Sequence, residues 1–265
     1  MNAAQHPRLV FLPGLGADHR LFRPQLAAFK NTICPRWIQP KRGDSLAGYA
    51  RRFAAAMLPE VHGAAGDGRS HAPYVLCGFS FGGMVALEIA RHLPAASRPA
   101  GVILIAGVRS KRGVSNAFRV QQTIGSRVPS AIAHTMIAGP LTSLFAKRDG
   151  LNPEYTRLLK EMASDIDTAF LFWAARACAS WQHDGVVPVP VAHVHGRRDP
   201  VIPYVPHPGL QGGEATLLDA GHLISWTATS DVNAFIAEHA QAFSAGAASL
   251  DAGSEPEPSM GPTGA

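Results

Sequence analysis

The stretch that most restricts the fold is Gly78-Phe79-Ser80-Phe81-Gly82, because of what flanks it. Upstream, Tyr74-Val75-Leu76-Cys77 is a short apolar run that suits a buried strand; downstream, Val85, Ile89 and Leu93 recur at helical spacing. Strand must become helix across a sharp turn. A glycine two residues to either side of Ser80 removes the side chains that would keep strand and helix apart. Ser80 is then held out above the sheet edge, beside a helix N-terminus whose free N–H groups favour negative charge. A glycine-rich connection carrying an incidental serine has the same composition, so the rest of the chain must supply chemical partners for Ser80.

Further strands are predicted from apolar runs at Leu9-Val10-Phe11-Leu12, residues 32–38, Gly101-Val102-Ile103-Leu104-Ile105-Ala106, residues 191–196 and residues 215–218. Ser45 can cap a helix that carries Leu46, Tyr49, Phe53 and Met57 on one face. A closing helix is expected over residues 231–243, and residues 62–72 read as a surface loop. Strands that are apolar throughout and alternate with helices predict an α/β fold with a mostly parallel sheet covered on both faces. Residues 109–184 break the alternation with helical periodicity alone: a helix after Pro153, and another from Asp167 carrying Phe170, Trp173, Ala174, Ala177 and Trp181. With Phe118, Met136, Leu144, Phe145 and Phe172, this insertion is expected to be an apolar cap. For each aromatic, anchoring of the cap to the sheet competes with lining a pocket.

One domain over residues 1–245 is expected, followed by a disordered tail at 246–265 rich in Gly, Ala, Ser, Pro and Glu. The net charge of +5 is scattered, which argues against nucleic acid as a partner. Three cysteines, Cys34, Cys77 and Cys178, make neither a disulfide framework nor a zinc site, and fit a reducing compartment. His193 and His195 share a strand face but lack a third ligand at suitable spacing, so no metal is expected. Gly14-x-Gly16 is half a dinucleotide fingerprint whose third glycine is replaced by His19, so a dinucleotide is not expected either. No secretion signal and no apolar run of bilayer length is visible. The expectation is a cytoplasmic protein without membrane contact.

Four features then agree in chain order: the turn Pro13-Gly14-Leu15-Gly16, the Gly78–Gly83 segment, Gly196-x-x-Asp199 after a late strand, and Gly221-His222 after the last. With the order Ser80, Asp199, His222, residues 9 to about 243 resemble an α/β-hydrolase fold enzyme, the glycine–serine turn being its nucleophile elbow. The resemblance implies about six strands rather than the usual eight. It implies Ser80 as nucleophile, His222 as its base, Asp199 as the carboxylate that orients His222, and Leu15 and Phe81 as backbone donors to an oxyanion. Asp199-Pro200 as a mere turn, with Asp219 as the alternative carboxylate, is the competing reading. Gly14, Phe79, Trp173 and Trp181 are the expected substrate-binding residues. Pro13 departs from the His-Gly that many relatives carry before this turn, which changes the pocket but leaves the backbone donor.

The chain is similar to small single-domain esterases, including those that act on short acyl-carrier-protein esters, without the resemblance fixing the acyl group. The resemblance implies hydrolysis of a small apolar carboxylic ester or thioester through an acyl-enzyme, without cofactor or metal. C–C bond hydrolysis and haloperoxidase-like chemistry share the residues, and a slow-turnover ligand receptor or non-catalytic binding module could share the fold. An acyl-carrier protein is a candidate partner through Arg109, Lys111, Arg112, Lys147 and Arg148, with Arg109, Lys111 and Arg112 expected at a solvated cap entrance.

Overall fold

The computed structural model describes residues 7–62, 73–116, 119, 135, 137–210 and 212–252. Strands β1 (Arg8–Leu12), β2 (Thr32–Ile33), β3 (Tyr74–Phe79), β4 (Gly101–Ile105), β5 (Val191–Gly196) and β6 (Thr216–Leu218) pair in parallel as one sheet. Their spatial order is β2-β1-β3-β4-β5-β6. Apolar runs rather than alternating ones appear because both faces are covered. Val10, Leu12, Leu76, Val102 and Leu104 belong to one core, whereas Leu9, Phe11, Val75, Cys77, Ile103 and Ile105 belong to the other.

The first core packs against α2 (Leu46–His62) and α3 (Phe81–His92). Ser45 Oγ accepts from Gly48 N–H at 3.1 Å, and Leu46, Tyr49, Phe53, Met57 and Val61 make the buried face of α2. The second core packs against α8 (Thr229–Ala252), preceded by the short α7 (Ile224–Thr227); α1 (Arg23–Ala28) lies on that side too. Gly101 admits the Phe243 ring, because a Cβ there would stand 2.1 Å from Phe243 Cδ2.

Two boundaries differ from the sequence expectation. β2 stops at Ile33 instead of running to residue 38, since Pro35 has no N–H to give a ladder. The closing helix runs to Ala252, so the tail does not begin at 246: Ala245, Ala247 and Ala248 are strong helix formers even in a segment of simple composition. The end of that segment, 253–265, lies outside the described residues.

Between β4 and β5 the described residues are helical or irregular. A π-helical turn (Ile137–Leu141) leads into α4 (Thr142–Arg148), followed by α5 (Pro153–Ser164) and α6 (Thr168–Ser180). Asn152 Oδ1 caps α5 at Tyr155 N–H (2.8 Å), and Asp167 Oδ1 caps α6 at Ala169 N–H (2.9 Å) and Phe170 N–H (3.1 Å). Phe118 and Met136 lie outside the described residues. Arg109 is a correction: it is 2% exposed, not at a solvated entrance. Burial holds its guanidinium pKa down, and Tyr204 and Glu214 act against that. Lys111 and Arg112 are exposed. Among the described residues no helix is long and apolar enough to cross a membrane.

Parallel register brings the carboxyl ends of the strands to one edge. Leu12 pairs with Gly78, Phe79 with Ile105, Ile105 with Val194, and Gly196 with Leu218. The Pro13 turn, Ser80, Asp199 and His222 all follow these ends. Ligands of open α/β sheets bind at this edge.

Candidate active site

Ser80 links β3 to α3 with φ 52° and ψ −115°, a backbone state that non-glycine residues rarely adopt and that costs roughly 1–3 kcal/mol. The surrounding backbone enforces it. Ser80 N–H donates to Ile105 O at 2.9 Å and Ser80 O accepts from Gly83 N–H at 3.0 Å. A Cβ on Gly82 would stand 2.0 Å from Leu12 O and 2.6 Å from Pro13 O, and one on Gly78 would stand 2.5 Å from Gly83 Cα. The glycine spacing therefore has a packing cause: helix α3 touches the Leu12-Pro13 backbone directly. Phe81 opens α3, where N–H groups have no intrahelical acceptor.

Asp199 follows β5 and His222 follows β6, each 5% exposed. His222 Nδ1 and Asp199 Oδ2 are 2.6 Å apart, while Asp199 Oδ1 accepts from Val201 N–H and Ile202 N–H, each at 2.8 Å. Burial pushes the Asp199 carboxyl up, but the bond and charge of His222, the Ile202 N–H and His195 outweigh it and hold it below the usual carboxylate value. Asp199 thus stays ionised, and Nδ1 of His222 carries a proton. That leaves Nε2 as the basic nitrogen. Asp219, the alternative carboxylate, has a side chain 79% exposed and pairs with Arg198 at 3.2 Å.

His193 and His195 extend this line inward. His195 Nε2 lies 2.8 Å from Ile202 O, which can only accept, so Nε2 carries the proton; it also lies 3.4 Å from Asp199 Oδ2. His195 Nδ1 then accepts from His193 Nε2 at 3.2 Å. Burial lowers the pKa of both imidazoles. Among the described residues no group of three or more His, Cys, Asp or Glu side chains is placed to hold a metal.

Ser80, His222, Phe81 and Leu15 line one cavity of about 480 Å³. Met84, Val108, Val114, Phe145 and Cys178 supply much of its apolar wall, with residues 200–203 along one side. No Asp, Glu, Lys or Arg is among its described lining residues. Cys178 is 4% exposed, and burial pushes its thiol up to about 12. Gly14 and Phe79 sit behind the site rather than on its wall. A Cβ on Gly14 would meet the Phe79 ring at 2.9 Å and Ser80 Cβ at 3.5 Å, and the Phe79 ring stands edge-on to His222 with centroids 5.0 Å apart.

Trp173 and Trp181 are not brought to the cavity, and the expectation that they form its wall is corrected. Trp173 Nε1 donates to Asp44 O at 3.1 Å and its ring packs on Tyr49 of α2 with centroids 4.5 Å apart. Trp181 Nε1 donates to Glu88 Oε1 at 2.7 Å and its ring stacks on His183. Both anchor α6 to the sheet-covering helices. Of the actual wall, sequence reading named Leu15, Phe81 and, among the cap's apolar side chains, Phe145, but missed Met84 and Cys178. Met84 could have been found by counting from Ser80, one helical turn on; Cys178 carries no signal beyond apolarity.

Residues 9–238 match the model of the Alpha/beta hydrolase family. Among solved structures the chain is similar to a thermophilic esterase from Thermogutta terrifontis, at 18% identity over 89% of this chain and 90% of that chain with a TM-score of 0.63. It is similar to an enol-lactonase from Burkholderia xenovorans at 17% identity, 90% and 92% coverage and a TM-score of 0.61. A Bacillus megaterium epoxide hydrolase gives 13% identity, 88% and 92% coverage and a TM-score of 0.66. No curated protein matches in sequence.

Proposed function

The chain belongs to the alpha/beta hydrolase family, and on that premise we propose that it hydrolyses an uncharged, apolar carboxylic ester or thioester through an acyl-enzyme on Ser80. The observation that carries this reading is the 2.6 Å contact between Asp199 and His222, on a histidine that shares a cavity with a serine at a strained elbow. A serine hydroxyl alone is a poor nucleophile, and a neutral imidazole fixed in one tautomer by a carboxylate activates it.

In the proposed reaction, Ser80 Oγ attacks the carbonyl carbon while its proton passes to His222 Nε2. The tetrahedral oxyanion accepts hydrogen bonds from the N–H groups of Phe81 and Leu15. Collapse breaks the bond to the alcohol or thiol, which leaves with the proton from His222. Water then attacks the acyl-serine, giving one proton to His222; release of the acid returns that proton to Ser80. The helical insertion acts as a cap, with Phe145 closing the cavity over His222. A neutral apolar wall favours a neutral acyl group, because an unpaired buried charge is costly. An acyl-carrier protein as source of the ester is the finer proposal, supported by exposed Lys111 and Arg112 beside Gly113 of the cavity and by exposed Lys147 and Arg148 at the end of α4.

An alkyl fluorophosphonate tests the reading. It should label Ser80, and labelling and p-nitrophenyl ester turnover should both vanish in Ser80→Ala and His222→Ala, with the double variant no worse than either single. Full activity in Ser80→Ala would sink the mechanism. Labelling with turnover below about once per minute on every ester, against a typical kcat near ~10 s⁻¹, would favour a ligand receptor.

A further inference from the structure

Asp149 ends helix α4, with its N–H donating to Phe145 O at 3.0 Å. Its side chain leaves the insertion and reaches the loop that carries His222. Asp149 Oδ2 accepts from Leu223 N–H at 2.6 Å, directly after His222, and Oδ1 lies 2.4 Å from where a Cβ on Gly221 would be, directly before it. A side chain at 221 would force the carboxylate to move. The end of β5 also presses on the same loop, since a Cβ on Gly196 would stand 1.9 Å from Gly221 O. The backbone on either side of His222 therefore touches Asp149, which is 9% exposed, and at Gly221 also the end of β5. One turn earlier on α4, Phe145 lines the cavity with its ring centroid 6.1 Å from that of His222.

We propose that Asp149 is a positioning residue for His222, acting through the backbone of residues 221–223; the inference rests on the hydrolase reading above. Asp199 fixes the imidazole at Nδ1 only. A shift of the loop, or a swing about that one bond, would move Nε2 relative to Ser80 in the cavity that both line, and the 2.6 Å bond from Leu223 N–H opposes such a shift. Helix α4 thus holds the base at its ring through Phe145 and at its main chain through Asp149.

The test compares wild type, Asp149→Ala and Asp149→Asn, whose amide oxygen can still accept from Leu223 N–H. The measurements are the rate of fluorophosphonate labelling of Ser80, kcat and KM on a p-nitrophenyl ester, and the downfield proton resonance of His222 Nδ1–H. In Asp149→Ala, labelling and kcat should fall roughly 10- to 100-fold, as expected of a misplaced catalytic group. KM should stay within about twofold, the downfield proton should shift or broaden, and Asp149→Asn should recover most of the loss. If Asp149→Ala does not melt cooperatively, Asp149→Leu fills the space without an acceptor and carries the same comparison. Wild-type labelling and a sharp downfield proton in the acceptor-free variant overturn the inference, whatever its melting temperature. A wild-type chain that does not label at Ser80 overturns the hydrolase reading and this inference with it, and that control separates the two failures.

Discussion

Gly82 lies against the carbonyl of Leu12 so closely that a Cβ would come within 2.0 Å of the oxygen. The helix that follows Ser80 and the turn that follows Leu12 are thus packed backbone on backbone. Gly82→Ala must push them apart, because neither contact atom belongs to a flexible side chain. The variant should lose about 1–3 kcal/mol or more of stability, read from urea unfolding, and should label at Ser80 far more slowly than wild type. Normal labelling in a folded Gly82→Ala protein would show that the two segments can separate without harm.

Asp199→Asn separates orientation from nucleophile. Its oxygen can keep Val201 and Ile202 N–H, so the fold should hold with a melting temperature close to wild type. Its NH₂ would then face His222 Nδ1 and reverse the tautomer, leaving Nε2 protonated toward Ser80. Turnover of a p-nitrophenyl ester should fall by roughly 10⁴-fold. A loss below tenfold would mean that another group orients His222.

Anchors and walls should separate in the same assay. Trp181→Phe deprives buried Glu88 of a donor and should cost about 1–3 kcal/mol of stability while leaving acyl-length preference unchanged. Met84→Ala enlarges the cavity and should shift kcat/KM toward longer acyl chains by about tenfold per added methylene matched. The reverse pattern, with selectivity moved by Trp181 and not by Met84, would restore the aromatic wall.

Stability should decline as pH falls from about 7 toward 5. His193 and His195 have folded pKa values depressed by burial below the ordinary 6.5, so below 6.5 the unfolded chain binds protons that the folded chain does not. Stability rises with pH wherever the unfolded state binds more protons, by up to about 1.4 kcal/mol per pH unit for each such group. The penalty is absent above 6.5 and grows below it. Asp199, depressed from 3.8, contributes stability that begins to be lost only as pH falls toward that value. His193→Gln should flatten the slope of melting temperature against pH, with His183 and His207, also lowered by burial, keeping part of it. An unchanged slope would show that His193 titrates normally.

The sheet and the elbow were legible because their causes are local. Parallel strands covered on both faces must be apolar throughout, and a serine between glycines at a strand–helix junction has few conformations open to it. Asp199 and His222 were legible by chain order. The wall of the cavity was not, because the periodicity of α6 gives a buried face without saying which neighbour covers it: Trp173 met Tyr49, and Cys178 met the cavity. Arg109 was misread since charge in a sequence predicts exposure only on average. Asp149 had no signal at all; Arg148-Asp149-Gly150 has the composition of a surface turn, and its partner lies seventy-odd residues away at Leu223.

Cys178 places a second potential nucleophile in the same cavity as Ser80, and burial leaves it as a neutral thiol at ordinary pH. Thiols react as thiolates, so a cysteine-directed warhead entering this cavity would react with Cys178 only slowly. Once fluorophosphonate labelling of Ser80 is established, a probe signal lost in competitive profiling of a cell extract would therefore report chiefly on Ser80 rather than on Cys178. Inhibitor selection could proceed on that single readout without a cysteine-free variant.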